Sequence, residues 1–166
     1  MRHEIKAVKH VGSTTQIVLR FCQEIETTCA SIYSHYAYIF AADPALRKLW
    51  NKIADEELNH AQIIAMAMRC KGLILKEKQY DMTKFRNSAK TIREILDNLK
   101  NLTPSAEEAL RAAINLEKRL AEFHLDHVLN FTSLAEENFF GQLMEGDKQH
   151  IRQLEEAYQL IRSEKA

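Results

Sequence analysis

Two pairs of a carboxylate and a histidine, each spaced three residues apart, are the residues of this sequence best suited to chemistry. Glu57 and His60 form the first pair, within "WNKIADEELNHAQII", and Asp147 and His150 form the second, within "GQLMEGDKQHIRQL". Residues at this spacing share one face of an α-helix, so each pair can present an oxygen and a nitrogen to a single point. Such oxygen and imidazole ligands suit iron or manganese, and imidazole also accepts zinc.

Both pairs interrupt the apolar stripe of an amphipathic helix. The apolar members of the two stripes are Trp50, Ile53, Ala54, Ala61, Ile64 and Met68 in the first, and Phe140, Leu143, Met144, Ile151, Leu154 and Ile161 in the second. A shift of ninety residues superposes most of these positions and lays Glu57 on Asp147 and His60 on His150. A buried carboxylate is costly unless it is paired, hydrogen-bonded or bound to a metal. The pattern therefore requires partners from other helices.

Carboxylates on the two remaining long helices can complete a metal site. Glu117 is in line with the apolar residues of its helix, which are Leu110, Ala113, Ile114, Leu120 and Ala121. On the first helix, Glu24 shares a line with Phe21, whereas Glu26 shares a side with Cys29, and periodicity alone leaves both candidates open. One carboxylate from each of two helices and a carboxylate-x-x-His from each of the other two is the ligand set of di-iron and di-manganese carboxylate bundles.

The elements that must position these residues are four long helices and one short helix. The first helix starts near Ser13, the second is capped by Asp43 and runs to about Arg69, and residues 71–103 form a crossover with its own short helix. Thr103 or Ser105 caps the third long helix, which runs to about Asn130, and Ser133 caps the fourth. Two helix pairs joined by one long connection specify an all-α, ferritin-like four-helix bundle, here a single domain over residues 1–166.

Composition narrows the class of protein further. Only 4 glycines and 2 prolines interrupt 166 residues, which favours long helices over a many-stranded sheet. With 23 basic and 23 acidic residues, no strong attraction to nucleic acid or to an anionic membrane is expected. The sequence contains no membrane-spanning run and no secretion signal, so a cytoplasmic protein is expected. The three cysteines form no Cys-x-x-Cys and are interpreted as small buried groups.

From about residue 13 to about residue 163, the sequence resembles the rubrerythrin branch of the ferritin-like superfamily, and "GQLMEGDKQHIRQLEEAY" is similar to that family's fourth-helix signature. The family's spacing between its first-helix glutamate and its second-helix Glu-x-x-His matches the thirty-three residues from Glu24 to Glu57, so the resemblance selects Glu24 over Glu26. It implies that Glu57 and Asp147 bridge two metal ions, that Glu24 and Glu117 bind terminally, and that His60 and His150 bind one ion each.

The sequence departs from the family pattern at three points. Asp147 stands where rubrerythrins usually have a glutamate, and its side chain is one methylene shorter. Ile114 occupies the position of a second glutamate that many members carry one turn before the residue matched by Glu117. The four-cysteine rubredoxin module of full-length members is not found in these residues, so electrons are expected from another protein such as a rubredoxin.

The resemblance implies a di-iron oxidoreductase of the oxidative-stress response that reduces hydrogen peroxide or dioxygen, with two iron ions per site and a homodimeric assembly. Manganese or zinc is an alternative metal. Two other functions remain open: ferritin-type oxidation and storage of iron, and a helical interaction module whose metal site has degenerated. In the last case the same six residues would form a buried salt-bridged network, which is a costly way to hold a bundle together.

Overall fold

The computed structural model describes residues 12–69, 81–128 and 134–164, and every regular element within them is a helix. The five helices are α1 (Gly12–Ile39), α2 (Pro44–Arg69), α3 (Met82–Leu99), α4 (Ala106–Val128) and α5 (Leu134–Ser163). The predicted all-α, ferritin-like helical bundle is confirmed. Cys70, the first part of the 71–103 crossover, Asn130 and the expected cap Ser133 lie outside the described residues. No described helix combines the length and the hydropathy needed to cross a bilayer.

Aspartate side chains cap the starts of α2 and α3, and the cap of α2 is the predicted one. The carboxylate of Asp43 accepts hydrogen bonds from the backbone N–H groups of Ala45 and Leu46, both at 3.0 Å. Pro44 is the first residue of α2, a position at which a missing N–H costs nothing. Asp81 caps α3 in the same way, accepting from the N–H groups of Thr83 and Lys84. Because the turn between α1 and α2 is four residues long, these two helices lie antiparallel.

The start of α4 is a reciprocal capping box. The Ser105 hydroxyl oxygen accepts from the backbone N–H of Glu108 at 3.3 Å, and the Glu108 carboxylate accepts from the backbone N–H of Ser105 at 2.9 Å. Of the two caps that the sequence left open, Ser105 is therefore the one used, and Thr103 lies before it. Glu107 and Glu108 occupy the first turn, where negative charge is favourable.

The helices pack as two antiparallel pairs, with α1 along α2 and α4 along α5, while α3 packs on α1 and α2 meets α5. Buried apolar side chains form two clusters. The larger includes Tyr33, Trp50, Leu110 and Leu154, and the smaller is formed by Val18, Leu19, Cys22, Ile64, Phe85 and Leu143. Along α2 the larger cluster ends at Ala54 and the smaller begins at Ile64, so a layer of the bundle between them is left for other side chains.

Removal of the capping hydroxyl tests the start of α4. Ser105→Ala should lower the free energy of unfolding by about 1 kcal/mol, because the backbone N–H of Glu108 loses its acceptor and the Glu108 carboxylate loses the hydrogen bond from the Ser105 hydroxyl. Thr103→Ala is the matched control and should change the free energy of unfolding by less than about 0.5 kcal/mol. Urea denaturation followed by circular dichroism measures both values. Equal losses for the two variants would show that Ser105 is not the cap.

Candidate metal centre

Six ionisable side chains occupy the layer between the two apolar clusters. In the described part of the chain, the buried charged and polar residues are Glu26, Glu57, His60, Glu117, Asp147 and His150. Their exposed fractions run from 0% for the three glutamates to 9% for His60. Each of the four long helices contributes at least one of them. So many charges in one buried layer cannot be a by-product of packing, since each ionised group loses its hydration there.

The six residues are arranged around two adjacent points. Glu26, Glu57 and His60 form one group, and Glu57, Glu117 and His150 form the other, with the ligand atoms of each group within 4.8 Å of one another. We call them the His60 group and the His150 group. Glu57 belongs to both, which is the arrangement that a carboxylate bridging two ions requires.

Glu57 directs its two oxygens to two different histidines. Its Oε2 lies 3.3 Å from Nδ1 of His60, and its Oε1 lies 3.3 Å from Nδ1 of His150. Nδ1 of His60 is also 3.6 Å from Oε2 of Glu26, and Nδ1 of His150 is 3.5 Å from Oε2 of Glu117. The two imidazole rings are 5.7 Å apart between centroids. Each Nδ1 therefore faces two carboxylates.

None of these contacts between a histidine nitrogen and a carboxylate oxygen is a hydrogen bond. Nδ1 of His60, Nδ1 of His150 and both oxygens of Glu57 are buried without a hydrogen-bond partner, as is Oε2 of Glu117. Buried polar atoms are otherwise almost always hydrogen-bonded, so this number of exceptions at one place needs an explanation. Hard oxygens and imidazole nitrogens converging on two points are the donor set of iron, manganese or zinc. The residues present therefore fit a pair of metal ions.

Two side chains outside the cluster contact proposed ligands on the side that faces away from the metal points. The Tyr33 hydroxyl donates a hydrogen bond to Oε1 of Glu117, and the Tyr33 ring stacks on Trp50 with centroids 5.9 Å apart. On the far side of the other histidine, Nε2 of His150 lies 3.0 Å from Oε2 of Glu56. Such outer partners orient metal ligands and are a usual feature of metal sites. Sequence periodicity did not single out Glu56, because it lies beside the apolar stripe.

The closely spaced carboxylates raise the pKa values of Glu57 and of both histidines in this layer. Burial raises the pKa of Glu57 well above its usual value, and repulsion from Glu26 and Glu117 raises it further. Burial by itself lowers the pKa of His60, but the carboxylates of Glu26 and Glu57 outweigh it and raise that pKa to about 10. The pKa of His150 is lowered by burial and raised by Glu117 and Glu57, with a net rise to about 11. Without a metal, the layer therefore retains protons.

The structure does not bring Glu24 into the cluster. Its side chain is 39% exposed, and its Oε1 lies 2.9 Å from Nε of Arg93 on α3. Glu26 takes the expected place of Glu24 and is fully buried beside His60. Of the two first-helix candidates, the structure thus brings Glu26 to the cluster and leaves Glu24, which the resemblance selects, outside it. A signal for Glu26 exists in the sequence, since it shares a side with Cys22, Cys29 and Tyr33, all of which are buried.

The other predicted ligands have different outcomes. Glu57, His60, Glu117 and His150 are brought together, whereas Asp147 is 1% exposed in the same layer but belongs to neither group. Its side chain is one methylene shorter than glutamate, which is consistent with a shorter reach. A bridging role for Asp147 stays a prediction. Ile114 is buried within the larger apolar cluster, so that position contributes no ligand.

A helical bundle with a carboxylate and histidine cluster in its interior defines the ferritin-like class of metal-binding proteins. Comparison with protein families narrows the class. The family model described as Rubrerythrin matches residues 18–158, and the chain belongs to the rubrerythrin family. No curated protein and no solved structure matches the chain significantly.

Gly146 gives a test of the His60 group. A Cβ at this position would lie 2.6 Å from Cε1 and 2.6 Å from Nε2 of His60, so Gly146→Ala must displace the imidazole ring. We expect this variant to weaken metal binding by about tenfold or more, as displacement of a ligand does. Because the ring can move away, its folding stability should change little. Calorimetric titration with Mn²⁺ measures the affinity.

Gly141→Ala is the control for that substitution. A Cβ there has nothing within 4 Å, so this variant should gain about 0.5–1 kcal/mol of stability from removal of a helical glycine and should bind metal normally. Metal binding in Gly146→Ala equal to that of the wild type would contradict the geometry around His60.

The pKa shifts predict how pH acts on the metal-free protein. The pKa values of His60 and His150 are raised from 6.5 to about 10 and about 11, so their contribution to stability is complete below pH 6.5 and is lost as pH rises through those values. Glu57 acts in the same direction, since its raised pKa makes ionisation unfavourable in the folded state. The metal-free protein should therefore melt at a lower temperature at about pH 9 than at about pH 6.

Metal should reverse this dependence, because an ion displaces the protons and binds more tightly as pH rises. Differential scanning calorimetry with a chelator and with excess Mn²⁺ separates the two cases. A metal-free protein that gains stability between those pH values would contradict the raised pKa values.

Proposed function

We propose that the chain binds two iron ions, one in each group, and acts as an oxidoreductase that reduces hydrogen peroxide or dioxygen with electrons from an external protein such as a rubredoxin. The observation that carries this proposal is the arrangement of Glu57, whose two oxygens face two histidine nitrogens without a hydrogen bond to either. Manganese is the alternative metal for the same ligands.

The proposed ligands are Glu26 and His60 for one ion, Glu117 and His150 for the other, and Glu57 for both. A bound iron pair supplies two electrons to a peroxide or dioxygen molecule. The surrounding carboxylates are suited to hold two ions close together, because their negative charge offsets the repulsion between the cations. Tyr33 fixes the orientation of Glu117 through its hydroxyl, and the stack of Tyr33 on Trp50 excludes water from that side.

The burial of the ligands supports a small substrate. None of the proposed ligands is more than 9% exposed, and apolar clusters pack on both sides of the layer. A substrate with two non-hydrogen atoms can reach such a site through small movements of side chains, whereas a larger organic substrate would require the helices to separate.

The interaction module with a degenerate site is disfavoured by the same orphaned atoms. A structural network of these residues would gain its stability from closed hydrogen bonds, because an ion pair in a protein interior otherwise scarcely repays its desolvation. Here the central atoms lack such bonds. No feature of the described residues favours iron storage over the enzyme, and the size of the assembly separates the two: we expect a homodimer for the enzyme and a large closed shell for storage.

Metal analysis of three proteins tests the proposal. After reconstitution with Fe²⁺ under anaerobic conditions, the wild type and Glu24→Gln should each retain about two ions per chain, because Glu24 is outside the cluster. Glu26→Gln should lose at least one ion, because an amide is a poorer ligand than a carboxylate at the same place. The reduced wild type should then consume peroxide, and Glu26→Gln should consume it at least about tenfold more slowly. Less than about one ion per wild-type chain would refute the proposal.

A further inference from the structure

The two histidines of the cluster differ in what holds the far side of each ring. Nε2 of His150 lies 3.0 Å from Oε2 of Glu56, at normal hydrogen-bond distance. The residue that faces Nε2 of His60 is Gly146, where a Cβ would lie 2.6 Å from this nitrogen, and a glycine has no side chain that could accept a hydrogen bond. The two groups of ligands are therefore not equivalent, although they share Glu57.

The contact with Glu56 determines which nitrogen of His150 can bind a metal. A carboxylate only accepts hydrogen bonds, so Nε2 of His150 carries a proton and donates a hydrogen bond to Glu56. In the neutral ring, Nδ1 then keeps its lone pair, and Nδ1 is the atom that faces Glu57 and Glu117 without a hydrogen bond. Such a carboxylate also increases the basicity of the imidazole. At the equivalent place beside His60, Gly146 offers no side-chain acceptor that could fix the tautomer.

Glu56 is well placed for this task. Its side chain is 32% exposed, and its other oxygen, Oε1, lies 3.9 Å from Nζ of Lys52, so it remains hydrated while Oε2 faces the interior. The second ligand of the same group is also anchored, because Tyr33 donates a hydrogen bond to Glu117. His150 is 1% exposed and His60 is 9% exposed. The His150 group is thus held by two contacts from outside the cluster, and its histidine is the more deeply buried of the two.

We infer that Glu56 is a positioning residue for His150, and that it makes the His150 group the tighter of two unequal metal positions, so that the ions bind in sequence. This inference rests on the proposed function, since it assumes that both groups bind metal. The His150 group is filled first. The His60 group binds the second ion more weakly and is the position from which an ion is lost first.

Titration of the metal-free protein with Mn²⁺, followed by isothermal calorimetry, tests this order. The wild type should show two steps of different affinity. Glu56→Ala should weaken the tighter step by about 10-fold to 100-fold, which is the usual effect of removing such an outer partner, and should change the weaker step by less than about threefold. Glu56→Gln, which keeps an acceptor oxygen without its charge, should restore part of the loss.

Asp55→Asn is the matched control. Asp55 is exposed and adjacent in sequence, so this variant removes the same charge from the same surface without touching His150. It should leave both steps within about threefold of the wild type, which separates positioning from a general loss of negative potential. The Nε2–H proton of His150 in the Zn²⁺-loaded protein, observed by nitrogen-15 NMR, gives an independent measurement and should exchange rapidly with water only in Glu56→Ala.

The outcomes separate failure of this inference from failure of the proposed function. Two ions bound by the wild type with equal affinity, or two unequal steps that Glu56→Ala leaves unchanged, would overturn the inference and leave the metal site intact. An equal loss in Asp55→Asn and Glu56→Ala would also overturn it, since charge alone would then explain the effect. Less than about one ion per wild-type chain would instead remove the proposed function.

Discussion

The mutual repulsion of buried carboxylates is the constraint on which the rest of this structure depends. Among the side chains that the structure describes, Glu26, Glu57, Glu117 and Asp147 share one layer of the bundle with two imidazoles. Burial and repulsion raise the pKa of Glu57 well above its usual value, and the pKa values of His60 and His150 rise to about 10 and about 11. In the absence of metal ions, bound protons reduce the negative charge of this layer. Divalent metal ions neutralise the same charge without occupying the carboxylates one by one.

The apolar parts of the bundle stabilise this otherwise costly layer. The larger cluster packs on one side of it and the smaller cluster on the other, so that the helices are held together at both ends of the charged segment. This explains why the helices are long: each must span two apolar regions and the layer between them. It also explains Gly146, where close approach of α5 to His60 leaves no room for a Cβ. The two apolar clusters therefore stabilise the fold, and the charged residues of the layer are not needed to hold the helices together.

The sequence predicted those features that depend on periodicity along one helix. Glu57, His60 and His150 repeat on apolar stripes, and Glu117 is in line with Leu110 and Leu120, so their burial followed from local pattern alone. The starts of α2 and α4 followed from capping residues, although only the observed hydrogen bonds distinguish Ser105 from Thr103. These features depend on the sequence of one helix, so they can be predicted without knowing which other helices pack against it.

The choice between Glu24 and Glu26 depends instead on a neighbouring helix. Both residues lie on α1, which is covered by α2 on one side and by α3 on another, so its buried surface is wide and its pattern is ambiguous. Arg93 on α3 pairs with Glu24 at the surface, a contact that depends on how α3 packs against α1. Glu56 was missed for a related reason, since its partner His150 is 94 residues away in sequence. Neither the contact of Glu24 with Arg93 nor that of Glu56 with His150 can be predicted from the periodicity of one helix.

The surroundings of Cys29 show how the layer excludes softer chemistry. Cys29 lies one turn after Glu26 and is fully buried, close enough to the cluster to feel its charge. Burial raises the pKa of its thiol well above the usual value, and Glu57 and Glu117 raise it further. In the metal-free protein the sulfur is therefore a neutral thiol and a poor ligand, since metals bind the thiolate. The carboxylates of the layer thus keep the Cys29 sulfur protonated, and their charge, as well as their geometry, favours hard cations over soft ones.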